Sequence, residues 1–142
     1  MPSPETQLPA APTYTFSRIV FYTCAVYFLA MGLGLVLFPR FLVSGVAGTE
    51  VHPTLIGMLR GSGGAVIPYA LLYLLTARNP ASSLWVLSVI AVANTVAIML
   101  DISSVLLDEY TLAYAMIDLP VEVVSLAAVM MVWIKMRRLP QT

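Results

Sequence analysis

Charge is scarce in this chain. Of its 142 residues only 10% are charged, seven basic against seven acidic, so the formal net charge is zero. Such a balance supplies no net field to recruit DNA, RNA or an acidic substrate. Histidine and cysteine each occur once, as His52 and Cys24. A single cysteine excludes an intramolecular disulfide and a paired-cysteine metal or redox site. Because it lies in an apolar run, Cys24 reads as a small packing residue. One histidine leaves no basis for a multi-histidine metal site, bis-histidine haem ligation or a Ser-His-Asp triad. Neither a metal nor a cofactor is expected.

Apolar side chains are what the chain has in excess: 60% of its residues are hydrophobic and its mean hydropathy is +0.92. A soluble domain is about 45–50% apolar and about 25% charged. There is more apolar surface here than one small core can hide, and too little charge to wet the exterior. This composition excludes an ordinary cytosolic domain, a disordered chain and a nucleic-acid binder. The expected solvent is lipid.

Residues 1–13 contain Pro2, Pro4, Pro9 and Pro12 among small and polar neighbours, the composition of a disordered proline-rich tail. This stretch lacks the basic start of a signal peptide, and the apolar run after it is too long for a signal core. The first hydrophobic segment is therefore expected to be retained as a span. Crossing the hydrocarbon takes about 20 apolar residues in helix. Four segments qualify, at 18–38, 54–77, 82–107 and 111–134, within a domain over 14–136 that ends in a tail at 137–142. Barrel strands are excluded because these runs are too long and do not alternate. Short links between most of them imply antiparallel neighbours, so the expected fold is all-α, an up-down bundle of four transmembrane helices. Arg18, Arg78, Lys135, Arg137 and Arg138 fall on the side holding both termini, which places that side in the cytoplasm.

Four charged residues lie inside the predicted spans: Arg60, Asp101, Asp118 and Glu122. A charge at bilayer depth costs about 2.5–3.5 kcal/mol on insertion scales, so it usually faces protein or a wet cavity. Counting from the non-cytoplasmic ends puts Arg60, Asp101 and Asp118 roughly 9–10 Å deep on three different helices. Glu122 follows Asp118 by one turn on the same face, and Asn94 precedes Asp101 by two turns. These five residues are the candidate ligand or proton site. Arg60 is expected to pair with Asp101 or Asp118. The remaining excess of carboxyls leads to the expectation that Glu122 is protonated or cation-bound. The simpler alternative is a buried network that only sets helix register.

Backbone features fall in the same region. Pro120 lies between Asp118 and Glu122, and Pro68 interrupts the second span; each removes one helical hydrogen bond. The run Gly61-Ser62-Gly63-Gly64, with Gly57 before it, lets another backbone approach closely, within the bundle or, through Gly57 and Gly61, across a homodimer. Tyr69, Tyr73, Tyr110, Tyr114, Trp85 and Trp133 lie at or within two turns of predicted helix ends, where an interfacial aromatic belt accounts for most of them; Tyr110 and Tyr114, which flank the charged layer, are secondary candidates for a ligand vestibule.

The segments Gly32-Leu-Gly-Leu-Val-Leu-Phe-Pro39 and Met58-Leu-Arg-Gly-Ser-Gly-Gly64, with an acid in the fourth span, resemble the DoxX-like group of small four-helix membrane proteins. The resemblance is closest to a subfamily that has no assigned reaction, and it covers most of 18–134. It implies a four-helix bundle in which the subfamily's arginine before the glycines matches Arg60 and its acid in the last span matches Glu122. Asp101 stands where members of that subfamily often carry a basic residue. A bacterial plasma (inner) membrane is the expected location.

Three functional classes are compatible with these features. The first is an accessory or structural membrane component, docked as a homodimer or in a larger membrane complex. The second binds or transports a small molecule or ion at the charged layer. The third is a membrane-embedded acid–base enzyme working through paired carboxyls. With no nucleophile, histidine or metal set beside the acids, the enzyme class ranks last and no catalytic residue is named.

Overall fold

The computed structural model describes residues 13–42, 52–81, 84–109 and 111–138. Its elements are α1 (Thr15–Leu37), α2 (Pro53–Arg78), α3 (Leu84–Leu106) and α4 (Leu112–Arg137). No strand occurs among the described residues. Each helix holds a stretch long and apolar enough to cross a membrane. Val26, Leu71, Val92 and Met116, one from each helix, point outward and are more than half exposed. A water-solvated fold does not tolerate so apolar an exterior.

Local chemistry explains the helix ends. Pro53 opens α2 with φ already set, and the His52 Nδ1 accepts the Thr54 amide at 3.2 Å. After α3 the chain closes in a Schellman turn. Asp108 takes a left-handed φ of 56°, its amide reaches the Val105 carbonyl at 3.2 Å, and the Glu109 amide reaches Ser104 at 2.9 Å. Aspartate enters that region more readily than most side chains. α1 begins at Thr15, three residues before the expected start, and α4 runs to Arg137, three beyond the expected end. Both extensions carry polar residues that a hydropathy reading trims but a helix accommodates. Lys135 and Arg137 also favour a helix C-terminus electrostatically.

The helices form a ring in which each packs on its chain neighbours and α1 closes against α4. The α1–α2 pair is antiparallel: Arg18 meets Ala77 and Arg78 at one end, and Gly32 meets Gly63 near the other. α1 and α4 are antiparallel too, with Ser17 opposite Ala128 and Tyr27 opposite Asp118. The apolar core lies in the half of the bundle nearer the termini, where Phe21, Leu87, Ile90, Val129 and Val132 are wholly or almost wholly buried. In the other half the buried helical residues are few, chiefly Gly32, Ile56, Gly63, Ala115 and Glu122.

Of the glycines in the α2 run, Gly63 makes the close backbone approach, and its partner is Gly32 of α1. A Cβ on Gly63 falls 2.7 Å from the Gly32 carbonyl and 2.7 Å from the Leu35 Cβ; one on Gly32 falls 3.0 Å from the Gly63 carbonyl. At Gly57, Gly61 and Gly64 it meets nothing within 4 Å. The physical reason is helical phase. Ile56, Gly63, Ala70 and Ala77 recur every seven residues along the buried side of α2, and the other three glycines lie off that line.

Candidate functional site

Two polar tiers cross the bundle, where depth counting along the sequence suggests a single layer. The upper tier, beside the apolar core, is neutral. Asn94 on α3 donates through Nδ2 to the Tyr73 hydroxyl at 2.8 Å, to the Ile90 carbonyl at 2.7 Å and toward Ser125 Oγ at 3.2 Å. Tyr73 and Ser125 share a 2.6 Å hydrogen bond across the ring from α2 to α4. All three side chains are buried. Such a network has two consequences: the groups are satisfied without water, and three helices are tied in one register. Asn94 therefore belongs to a sealed tier, not to the carboxylate group.

Aromatic rings extend this tier toward α1. Phe28 stacks on Tyr73 at 5.3 Å and meets the edges of Tyr69 at 5.4 Å and Tyr27 at 5.3 Å. Tyr69 also reaches the Ile90 carbonyl at 3.5 Å. Tyr69 and Tyr73 are thus core residues, not members of an interfacial belt. Trp133 packs partly buried against the core, while Trp85 is exposed. Tyr110 and the Tyr114 side chain lie outside the described residues.

The lower tier is acidic. The Tyr27 hydroxyl donates to the Asp118 carboxylate, with the Ile117 carbonyl 3.4 Å away. One turn along α4, Glu122 is 7% exposed, and its Oε2 has no hydrogen-bond partner among the described residues. Asp101 and Asp118 lie close enough to act on Glu122 electrostatically, and Glu122 acts in the same way on Tyr27 and Tyr69. Asp101 is half-buried and lines a 160 Å³ groove between α3 and α4 with Ile102, Val105, Ala115 and Leu119. No group of three His, Cys, Asp or Glu side chains among the described residues is placed to hold a metal ion.

Arg60 stands apart from this tier. It is exposed on α2, and no ion pair or side-chain hydrogen bond to it occurs among the described residues. The pairing expected with Asp101 or Asp118 rests on equal depth, but depth does not set azimuth around the helix. The fold should therefore not depend on this residue. Arg60→Ala is expected to leave the thermal midpoint in detergent unchanged within about two degrees, where a residue pairing buried acids would cost far more. A drop of about ten degrees would restore the pairing.

Pro68 and Pro120 sit inside α2 and α4. Pro120 is exposed toward an apolar 250 Å³ groove lined by Ile19, Val20, Thr23, Cys24 and Val124. Cys24 itself is buried, as expected of a packing residue.

Comparison with known protein families, with curated proteins and with solved structures finds no match. Function is therefore read from the tiers themselves. Three residues that carry them, Tyr27, Tyr73 and Ser125, are not marked as site residues by the sequence pattern. Ser125 follows Glu122 by three residues on one helix face, which is a signal a period-based reading could use. Nothing in the sequence marks Tyr27 as the partner of an acid 91 positions away.

Proposed function

We propose that this chain is a DoxX-like integral membrane protein of four spans, with both termini in the cytoplasm of a bacterial plasma membrane, and that its acidic tier takes up a positive charge. The ligand class is a proton, or a small organic cation presented to the same carboxyls. The observation that carries this reading is Glu122, a residue only 7% exposed and near two further acids, with a buried carboxyl oxygen lacking a partner among the described residues. A buried carboxylate without a compensating cation is costly, and uptake of one positive charge removes that cost. Arg60 does not provide the compensation, since it faces outward. Tyr27 supports the site by donating to Asp118 and so holding one acid in place. This is the second functional class derived from sequence, with Arg60 and Asn94 removed from the ligand set.

Glu122→Gln tests it, because the amide keeps the size of the side chain and abolishes its titration. Difference infrared spectroscopy in nanodiscs at neutral pH is expected to show a protonated-carboxyl band that Glu122→Gln removes and Arg60→Gln keeps. Absence of the band, with no thermal stabilisation of the wild type by small alkylamines, would overturn the proposal.

A second reading retains the accessory role, as a homodimer or a subunit of a larger complex. The exposed glycines Gly57, Gly61 and Gly64 favour it, since they leave α2 a smooth outer face.

A further inference from the structure

The end of the bundle that carries the termini holds a cavity unrelated to the acidic tier. Its volume is about 290 Å³, and it lies between the start of α1 and the end of α2, lined by Thr13, Tyr14, Thr15, Arg18, Arg78 and Asn79. Arg18 is held in a fixed orientation: its Nε donates to the Ala77 carbonyl at 3.1 Å and its Nη2 to the Arg78 carbonyl at 2.8 Å. Those two bonds answer carbonyls at the negative end of α2 and leave other guanidinium N–H groups of Arg18 in the cavity wall. Arg78 makes no side-chain hydrogen bond or ion pair among the described residues.

Among the described residues, the charged side chains at this end of the bundle are positive. Lys135 donates to the Thr13 carbonyl at 2.5 Å and lies 5.7 Å from the centre of the Tyr14 ring. Arg137 and Arg138 follow at the end of α4. Every acid among the described residues (Asp101, Asp108, Glu109, Asp118 and Glu122) belongs to the opposite half of the bundle. The rim adds hydroxyls from Thr13 and Thr15. α1 also starts without a side-chain cap hydrogen bond from Tyr14, which leaves its first-turn amides without that partner beside a cavity lined by Tyr14 and Thr15.

We propose that this cavity is a phosphate-oxyanion site at the membrane surface, occupied by the headgroup phosphate of an anionic phospholipid. Two guanidinium groups, two hydroxyls and backbone N–H groups suit a phosphate, which offers acceptors only. A helical bundle places this end level with the headgroups when α1 and α2 span the bilayer. Juxtamembrane cations attract anionic lipids in the cytoplasmic leaflet in the same way.

Native mass spectrometry from nanodiscs of phosphatidylcholine containing a minority of phosphatidylglycerol provides the test. The wild type is expected to retain one phosphatidylglycerol per chain, and Arg78→Gln to lower that occupancy about tenfold. Arg78 is the diagnostic position because, unlike Arg18, its side chain makes no hydrogen bond among the described residues. Arg138→Gln, outside the cavity, is expected to retain the lipid. A parallel thermal titration in lipid-free detergent uses inorganic phosphate as probe. Stabilisation by phosphate that Arg78→Gln removes supports the same site with a soluble source. Equal retention of phosphatidylcholine and phosphatidylglycerol, or equal occupancy in Arg78→Gln and the wild type, overturns the proposal.

Discussion

Gly63→Val is expected to destabilise the folded bundle by about 3 kcal/mol or more, whereas Gly61→Val, two residues earlier, is expected to leave it intact. The difference lies in what each new side chain meets. At position 63 even the first carbon falls 2.7 Å from a carbonyl oxygen of α1, and backbone cannot move aside as a flexible side chain can. The two helices must separate, and α1–α2 is the most extensive helix pairing in the structure. Overpacking typically costs about 1–3 kcal/mol and occasionally more. A valine adds two further methyl carbons beyond that clash, so the upper end of the range applies. Position 61 opens onto nothing within 4 Å, and an added side chain there meets no such clash. Size-exclusion profile and thermal unfolding in detergent measure both variants. If Gly61→Val fails and Gly63→Val folds, the α1–α2 crossing is not as described.

Tyr73 supports an equally large effect that can be resolved into parts. Its ring is wholly buried, stacked on Phe28, and in edge contact with Tyr69 at 5.3 Å. Its hydroxyl joins Asn94 and Ser125. Tyr73→Ala is expected to destabilise the protein by about 3–5 kcal/mol, because it opens a cavity at the centre of the core. Tyr73→Phe removes only the hydroxyl and leaves Asn94 bonded to Ser125 at 3.2 Å. Its loss should be about 0.6–1.7 kcal/mol. Reversible unfolding in mixed micelles separates the two values. Similar losses for both variants would assign the role of Tyr73 to its hydroxyl and not to packing.

The two expectations concern different halves of the molecule. In the half nearer the termini, large side chains fill the ring of helices and a neutral hydrogen-bond network closes it. In the other half two glycines bring α1 and α2 together, and the acids lie on α3 and α4, with Tyr27 of α1 reaching Asp118. Tight packing at one end and titratable groups at the other give the bundle a division between support and chemistry. The proposed charge uptake at Glu122 relies on that division, since Glu122→Gln can change the lower tier while Tyr73, Asn94 and Ser125 keep the helices in place.

Part of this arrangement is legible in the order of residues. The number of helices, their approximate ends and their apolar exteriors come from runs of hydrophobic residues bounded by Pro39, Pro53 and Asn79-Pro80. Glu122 is also legible as a site residue. It lies midway between the buried Ala115 and Val129 at intervals of seven, so the helical period places it on the inner face of α4. Arg60 shows where that reasoning stops. Its depth is available from counting, but its azimuth depends on which face of α2 packs on α1. The Gly32–Gly63 contact decides that face and turns Arg60 outward together with Gly57, Gly61 and Gly64.

Composition and period are local properties, and through them the sequence alone determined four apolar helices, little charge, and acids confined to one half of the spans. Which groups meet is a property of packing between helices that are distant in sequence. Only the tertiary structure decided that Asn94 belongs with Tyr73 and Ser125, that Tyr27 serves Asp118, and that Arg18 and Arg78 line a cavity. A hydrogen bond acts over about 3 Å, while one residue's rotation around a helix swings its side chain by about 100°. An encounter that fine is fixed only when the neighbouring backbone is in place.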